Sequence, residues 1–144
     1  MRTNLSGTYW CCRAAERNLA EGGRIVAVSS ILARIGVAGY TGYCASKAGV
    51  LGLVRSLAAE LAPRRIQVNA ICPGWVNTNM AWQGFDAFPG LTREQAYAEA
   101  MREVPLDRMS EPEEIAGTVA WLLSDEARMV TGQAIDHNGG AWMG

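Results

Sequence analysis

Tyr43 and Lys47 stand four residues apart in Tyr43-Cys44-Ala45-Ser46-Lys47, and Ser30 precedes Tyr43 by thirteen residues. On a helix, positions i and i+4 share a face. An ammonium beside a phenol favours the phenolate, which makes tyrosine serviceable as a general acid or base near neutrality. A serine at the mouth of a strand can donate to a carbonyl oxygen as charge develops there. Taken singly, each residue has an ordinary structural explanation: a helix-start tyrosine, a solvated lysine, a strand-end hydroxyl. Together they describe a proton-transfer site.

The elements that must position this trio can be read from periodicity and punctuation. Leu5, Tyr9, Cys12, Ala15 and Leu19 recur near the helical period, so Asn4–Ala20 reads as a helix that Gly22-Gly23 ends. Arg24–Ser29 is a short, apolar run expected to be a strand buried on both faces of a parallel sheet. A glycine-rich loop, Ile31–Gly42, leads to a helix over Tyr43–Leu61 that Pro63 stops. Val50, Leu53, Val54, Leu57 and Leu61 would cover the sheet. Small residues (Ala45, Ala48, Gly49, Gly52, Ser56, Ala59) would leave the other side open to close approach.

Ile66–Ile71 is a second buried strand, followed by the turn Cys72-Pro73-Gly74-Trp75. Val76–Leu91 has no clean period and reads as an irregular, mobile flap holding Trp82, Phe85 and Phe88. Thr92–Arg102 is a helix with Thr92 as cap and Gln95 three residues on. Ser110 is expected to cap another over Glu111–Leu123, and Ala134–His137 is a third strand. Helix-bearing connections between strands imply parallel pairing in an α/β architecture. Three strands are few for such a layer. The first would keep one open, apolar edge, which is a liability unless covered.

The 144 residues fit one domain, taken as a single unit over residues 1–144. Hydrophobic residues make up 49% and charged residues 19%, so a packed core is expected. A net charge of −1 argues against a nucleic-acid partner or an anionic membrane surface, and the Arg64-Arg65 pair reads as solvated helix-end charge. No run of 18 apolar residues is present, and no apolar leader follows Met1-Arg2-Thr3. Cys11, Cys12, Cys44 and Cys72 form no C-x-x-C pair and His137 is the lone histidine, so neither a metal site nor a disulfide framework is expected. Four reduced, mostly buried thiols suit a cytoplasmic protein.

The combination of Ser30, Tyr-x-x-x-Lys and a Pro-Gly turn some thirty residues later resembles the short-chain dehydrogenase/reductase family. The resemblance runs from Asn4 to the C-terminus. It implies the C-terminal half of a Rossmann-like three-layer fold with parallel strands, in a truncated chain. It implies a catalytic tetrad of Asn4, Ser30, Tyr43 and Lys47, with Asn4 tying the lysine to a water chain. Asn69-Ala70-Ile71-Cys72-Pro73-Gly74 is similar to the family's turn beside the nicotinamide. Pro73, Gly74, Val76 and Thr78, with Tyr43 and Lys47, would contact the cofactor. Pro105-Leu106-x-Arg108, Thr131-Gly132 and Asn138-Gly139-Gly140 are similar to the family's C-terminal signature.

The family's glycine-rich phosphate loop is not found in this sequence. Gly36, Gly39 and Gly42 lie between a strand and a helix, but too far past the strand, and no acidic residue closes a second strand after them. That segment is expected to border the substrate. NAD and NADP therefore stand equal as cofactors, because the residue that separates them belongs to an early strand. Met1-Arg2-Thr3 reads as a start inside a longer frame. The resemblance implies hydride transfer between NAD(P) and a ketone or secondary alcohol, possible subtypes being a 3-oxoacyl thioester reductase and a cyclic or sugar alcohol dehydrogenase. The bulky residues Trp75, Trp82, Phe85 and Phe88 suggest an apolar substrate or flap packing. It also implies a homodimer or homotetramer, with the helices Asn4–Ala20 and Tyr43–Leu61 meeting their copies. The rival reading is a truncated, non-catalytic relative serving as an oligomerisation module.

Overall fold

The computed structural model describes residues 1–144. A π-helical turn, Arg2–Gly7, runs into α1 (Thr8–Asn18), followed by β1 (Arg24–Val28), α2 (Thr41–Leu61), β2 (Gln67–Pro73), α3 (Asn79–Asp86), α4 (Arg93–Met101), α5 (Pro112–Leu122) and β3 (Ala134–His137). The three strands form one parallel sheet in the order β1-β2-β3. Ile25 lies opposite Val68, and Cys72 opposite Asp136. Leaving β1 at an edge is what the sequence anticipated.

β2 is the spine. Val68, Ala70 and Cys72 face α2 and join Val50, Val54, Leu57 and Leu61 in the larger core. Side chains alternate along a strand, so Asn69 and Ile71 take the opposite face. Both are inaccessible, and the other helix touching β2 is α5. The predicted cover of the sheet therefore holds at Val50, Val54, Leu57 and Leu61, with Leu53 packed at the margin. Gly49 has a packing reason that helix propensity hides: a Cβ there would lie 2.9 Å from Leu5 Cδ2. The π turn before α1 thus rests on α2, offsetting the roughly 1 kcal/mol that glycine costs in a helix.

β1 departs from the expectation of burial on both faces. Only Ala27 is buried, Ile25 and Val26 are half-buried, and Val28 is 56% exposed. One side of the strand has no neighbour, so apolar character alone does not bring burial. The thiols also differ from expectation. Cys12 and Cys72 are buried, Cys44 is half-buried and Cys11 is exposed.

The expected irregular flap contains a helix, α3. Thr78 caps α3 through its hydroxyl and the Ala81 amide, and Phe85 is wholly buried in a second core with Ala81, Ala96, Met101, Val104 and Met109. Trp75, Trp82, Phe88 and Tyr97 ring Phe85 at centroid distances of 4.7 to 6.4 Å. The helix is only eight residues long, and glycines and a proline around it blur its period. Thr92 and Gln95 form the expected capping box of α4. At α5 the cap is Glu111 rather than Ser110, in a capping box with Glu114, because Pro112 takes the first helical position. Nor is Arg64 a solvated charge: it donates to the Glu16 and Leu19 carbonyls and closes the end of α1. Arg65 is exposed and pairs with Glu21. No helix is long and apolar enough to cross a membrane.

Candidate active site

Parallel strands deliver their C-terminal ends to one edge of the sheet, and there the predicted residues collect. β1 ends at Val28 and hands the chain to Ser29 and Ser30, both buried. The Ser29 amide continues the ladder to the Ile71 carbonyl, and its hydroxyl donates to the Lys47 carbonyl at 2.9 Å. This hydroxyl pins the strand end to the first turns of α2.

Ser30 caps a short 3-10 turn, Ile31–Ala33, with its Oγ accepting the Leu32 amide at 3.2 Å. Its own O–H remains free to donate. Tyr43 sits in the first turn of α2, partly exposed, and its hydroxyl takes part in no hydrogen bond within the chain. Lys47 follows one turn later, its Nζ 5.6 Å from the Tyr43 ring centroid. One of its N–H groups goes to the Val28 carbonyl at 2.9 Å. Burial pulls the Lys47 ammonium below the usual lysine range, with the nearby Cys72 acting the other way. Burial also pushes the Cys72 thiol up, Asp136 adding to it and Arg34 opposing it.

Asn4 bonds directly to α2. Its Nδ2 donates to Ser46 Oγ at 3.3 Å, and Ser46 donates to the Tyr43 carbonyl at 2.7 Å. Its carbonyl accepts the Thr8 hydroxyl at 2.6 Å. This direct hydrogen-bond chain joins Asn4 to the start of α2. Asn4 belongs to the π-helical turn, a local widening frequent at functional sites.

The remaining candidates flank the end of β2. Gly74 passes so close to β3 that a Cβ would lie 3.0 Å from both Cα and Cβ of Asn138. Pro73 pairs with His137 in the register. Val76 forms an isolated bridge with Ser110, and Thr78 Oγ1 donates to the Val76 carbonyl at 3.3 Å. Asn69 serves the fold. It donates to Val130 O at 2.8 Å and accepts from the Gln133 amide at 3.0 Å, holding the loop that carries Thr131-Gly132.

Two residues outside the recognised motifs also shape this edge. Asn77 accepts from Trp82 Nε1 at 2.8 Å and donates to the Glu111 carboxylate at 3.1 Å. It thereby ties the Val76–Thr78 segment to α3 and to the start of α5. Arg34 reaches β3. A single charge inside Ile31-Leu32-Ala33-Arg34-Ile35 was the signal available for it. A concavity of about 470 Å3 lies away from Tyr43, in the groove between α1 and β1.

The polar groups left free (the Tyr43 hydroxyl, two Lys47 N–H bonds and the Ser30 O–H) suit a ligand rich in hydroxyl and amide groups. A nicotinamide ribose has that chemistry. Residues 1–141 match a family model described as enoyl-(acyl carrier protein) reductase. The 3-oxoacyl-(acyl-carrier-protein) reductase FabG of Staphylococcus aureus is 40% identical over 143 residues, covering 98% of this chain and 55% of the relative. That of Pseudomonas aeruginosa is 40% identical over 148 residues, covering 99% and 56%. Among solved structures, a short chain dehydrogenase family protein from Francisella tularensis superposes with a TM-score of 0.91 at 32% identity, over 96% of this chain and 58% of that one. Sorbitol-6-phosphate 2-dehydrogenase from Erwinia amylovora gives a TM-score of 0.93 at 29% identity, over 98% and 58%. The chain belongs to the short-chain dehydrogenase/reductase family, a family of NAD(P)-dependent oxidoreductases with a Rossmann-like fold. It spans a little over half the length of the curated relatives it matches.

Proposed function

We propose that this chain carries the catalytic and substrate-binding half of an oxidoreductase that moves hydride between NAD(P) and a ketone or secondary alcohol, with 3-oxoacyl thioesters as the substrate class. The observation that carries the reading is the unpaired Tyr43 hydroxyl with the Lys47 ammonium one turn below it, beside the strand end that bears Ser30. The thioester class rests on the similarity to the FabG relatives.

NAD(P)H, when bound, supplies the hydride for reduction. Ser30, whose oxygen already accepts the Leu32 amide, donates its proton-bearing side to the substrate carbonyl oxygen. As the carbonyl carbon gains hydride, the C=O π electrons move to that oxygen and Tyr43 gives it a proton. The charge left on the phenol oxygen is steadied by Lys47. The two N–H groups of Lys47 not engaged by Val28 would hold the ribose hydroxyls. Thr78 and the Val76 backbone would meet the carboxamide, with Pro73 and Gly74 shaping the wall. All of these groups address the nicotinamide end, which NAD and NADP share. Asn4 supports the site through Ser46 and the start of α2.

We also infer a homodimer or homotetramer. The exposed small face of α2 (Ala45, Ala48, Ser56, Ala59) and exposed Tyr9 and Trp10 on α1 favour it.

A chimera tests the reading. The segment of the S. aureus relative that precedes the matched region is joined to residues 1–144, and oxidation of NADH and NADPH is followed with an acetoacetyl thioester. Turnover with deuterium passing from the C4-labelled cofactor to the product carbinol carbon is expected. A folded, cofactor-binding chimera that transfers none would overturn the proposal.

A further inference from the structure

We propose that Arg34 is a positioning residue for Ser30, locking the turn that bears this serine to the last strand and to the chain's terminal segment. The turn is short. The Ala33 amide bonds the Ser30 carbonyl at 2.9 Å, and the Arg34 amide bonds Ile31 at 2.8 Å. Beyond it the guanidinium crosses to β3. Its Nε donates to Asp136 Oδ1 at 3.3 Å, and its Nη2 to Asp136 Oδ2 at 3.1 Å and the Ala134 carbonyl at 3.0 Å. The guanidinium carbon lies over the Trp142 indole, 4.8 Å from the ring centroid. Trp142 is in turn fixed by its carbonyl, which accepts Asn138 Nδ2 at 3.2 Å.

The physical case is one of geometry and burial. Arg34 and Asp136 side chains are 21% and 22% exposed, so the pair is partly shielded from salt and held in a two-pronged fork. Lysine could supply the charge but neither the fork nor the stack. A single side chain therefore joins residues about a hundred positions apart, across the end of β2. A shielded ion pair adds little net stability by itself, so the role proposed for this one is the position it fixes. The value of this positioning for chemistry rests on the proposed role of Ser30, whereas the positioning itself is read without cofactor or substrate.

The Leu32 amide is the reporter, because its acceptor is Ser30 Oγ. The Gly132 amide, bonded to Val68 at the far end of the sheet, is the control. Hydrogen exchange at both is measured by NMR in the 144-residue chain and its variants. Arg34→Ala is expected to speed Leu32 exchange by roughly tenfold while leaving Gly132 as it was, a local opening rather than a global one. Arg34→Lys should recover little of this. The charge reversal Arg34→Asp with Asp136→Arg should recover more than either single change. Asp136→Asn keeps the shape without the charge and is the decisive variant should Arg34→Ala fail to fold. Unchanged Leu32 exchange in a folded variant, or Leu32 and Gly132 rising together, would overturn the proposal and leave the hydride-transfer reading untouched.

Discussion

The Lys47 ammonium is held at 2.9 Å by the backbone carbonyl of Val28, the last residue of β1. Backbone groups alternate sides along a strand, and the neighbouring Ser29 amide is the one bonded to β2. The Val28 carbonyl therefore faces the strand's free side. The lysine thus serves as a strut between helix and strand end while keeping two donors for a ligand.

Tyr43→Phe in the chimera removes a hydroxyl that supports no contact in the fold. Turnover should fall on the order of 10²–10⁴-fold with thermal stability unchanged. Lys47→Ala should lower kcat and also weaken cofactor binding, since one ammonium serves both. Steady-state kinetics with one thioester checks both variants, and wild-type rates for Tyr43→Phe would remove the proton donor from the mechanism.

The free edge of β1 makes a second expectation. Unpaired backbone groups beside half-buried Ile25 and Val26 favour association between chains. Sedimentation of the 144-residue chain should show mass rising with concentration. Val28→Lys, at a position already 56% exposed, should reduce that association without loss of helix signal. A dilution-resistant monomer would contradict the expectation.

Phe85 has no exposed surface and is the hub of the second core. Phe85→Ala should cost about 3–5 kcal/mol in a urea titration. Loosening should begin in α3 and α4, read as faster amide exchange there than in β2. Equal loosening of β2 would mean that the two cores unfold as one.

Glu114 gives a pH expectation. Its bidentate bonds with Arg108 at 2.7 Å, and its acceptance of the Glu111 amide, hold its carboxyl at about 2 instead of 4.5. A depressed carboxyl stabilises the folded chain above its unfolded value, and that contribution disappears as pH falls from about 4.5 through about 2. The α5 capping box should therefore survive at about pH 4, between those two values. Carbon-13 titration of the Glu114 carboxyl checks this, and Arg108→Ala should move its midpoint back toward 4.5.

The sequence by itself determined the elements whose chemistry is local. β3 falls at Ala134–His137, as read from the sequence. The Thr92–Gln95 capping box needs only residues three apart, and the Tyr43–Lys47 pair needs only the helical period. The motif set around Ser30, Tyr43 and Pro73-Gly74 likewise survives translation into a single sheet edge, because parallel strands must end there. What the tertiary structure alone decided depends on partners distant in the chain. α3 reads as irregular until Phe85 is buried by residues of α4 and the segment after it. Arg64 reads as solvated until the end of α1 presents carbonyls to it. The direct bond from Asn4 to Ser46 is not legible in the sequence, and Gly49 reads as one small residue among several until Leu5 is found against it. The open edge of β1 was legible in the sequence, but the half-exposure of its faces was not. An apolar pattern says that a face prefers burial, but only a neighbour in space provides it, and β1 has a neighbour on one side alone.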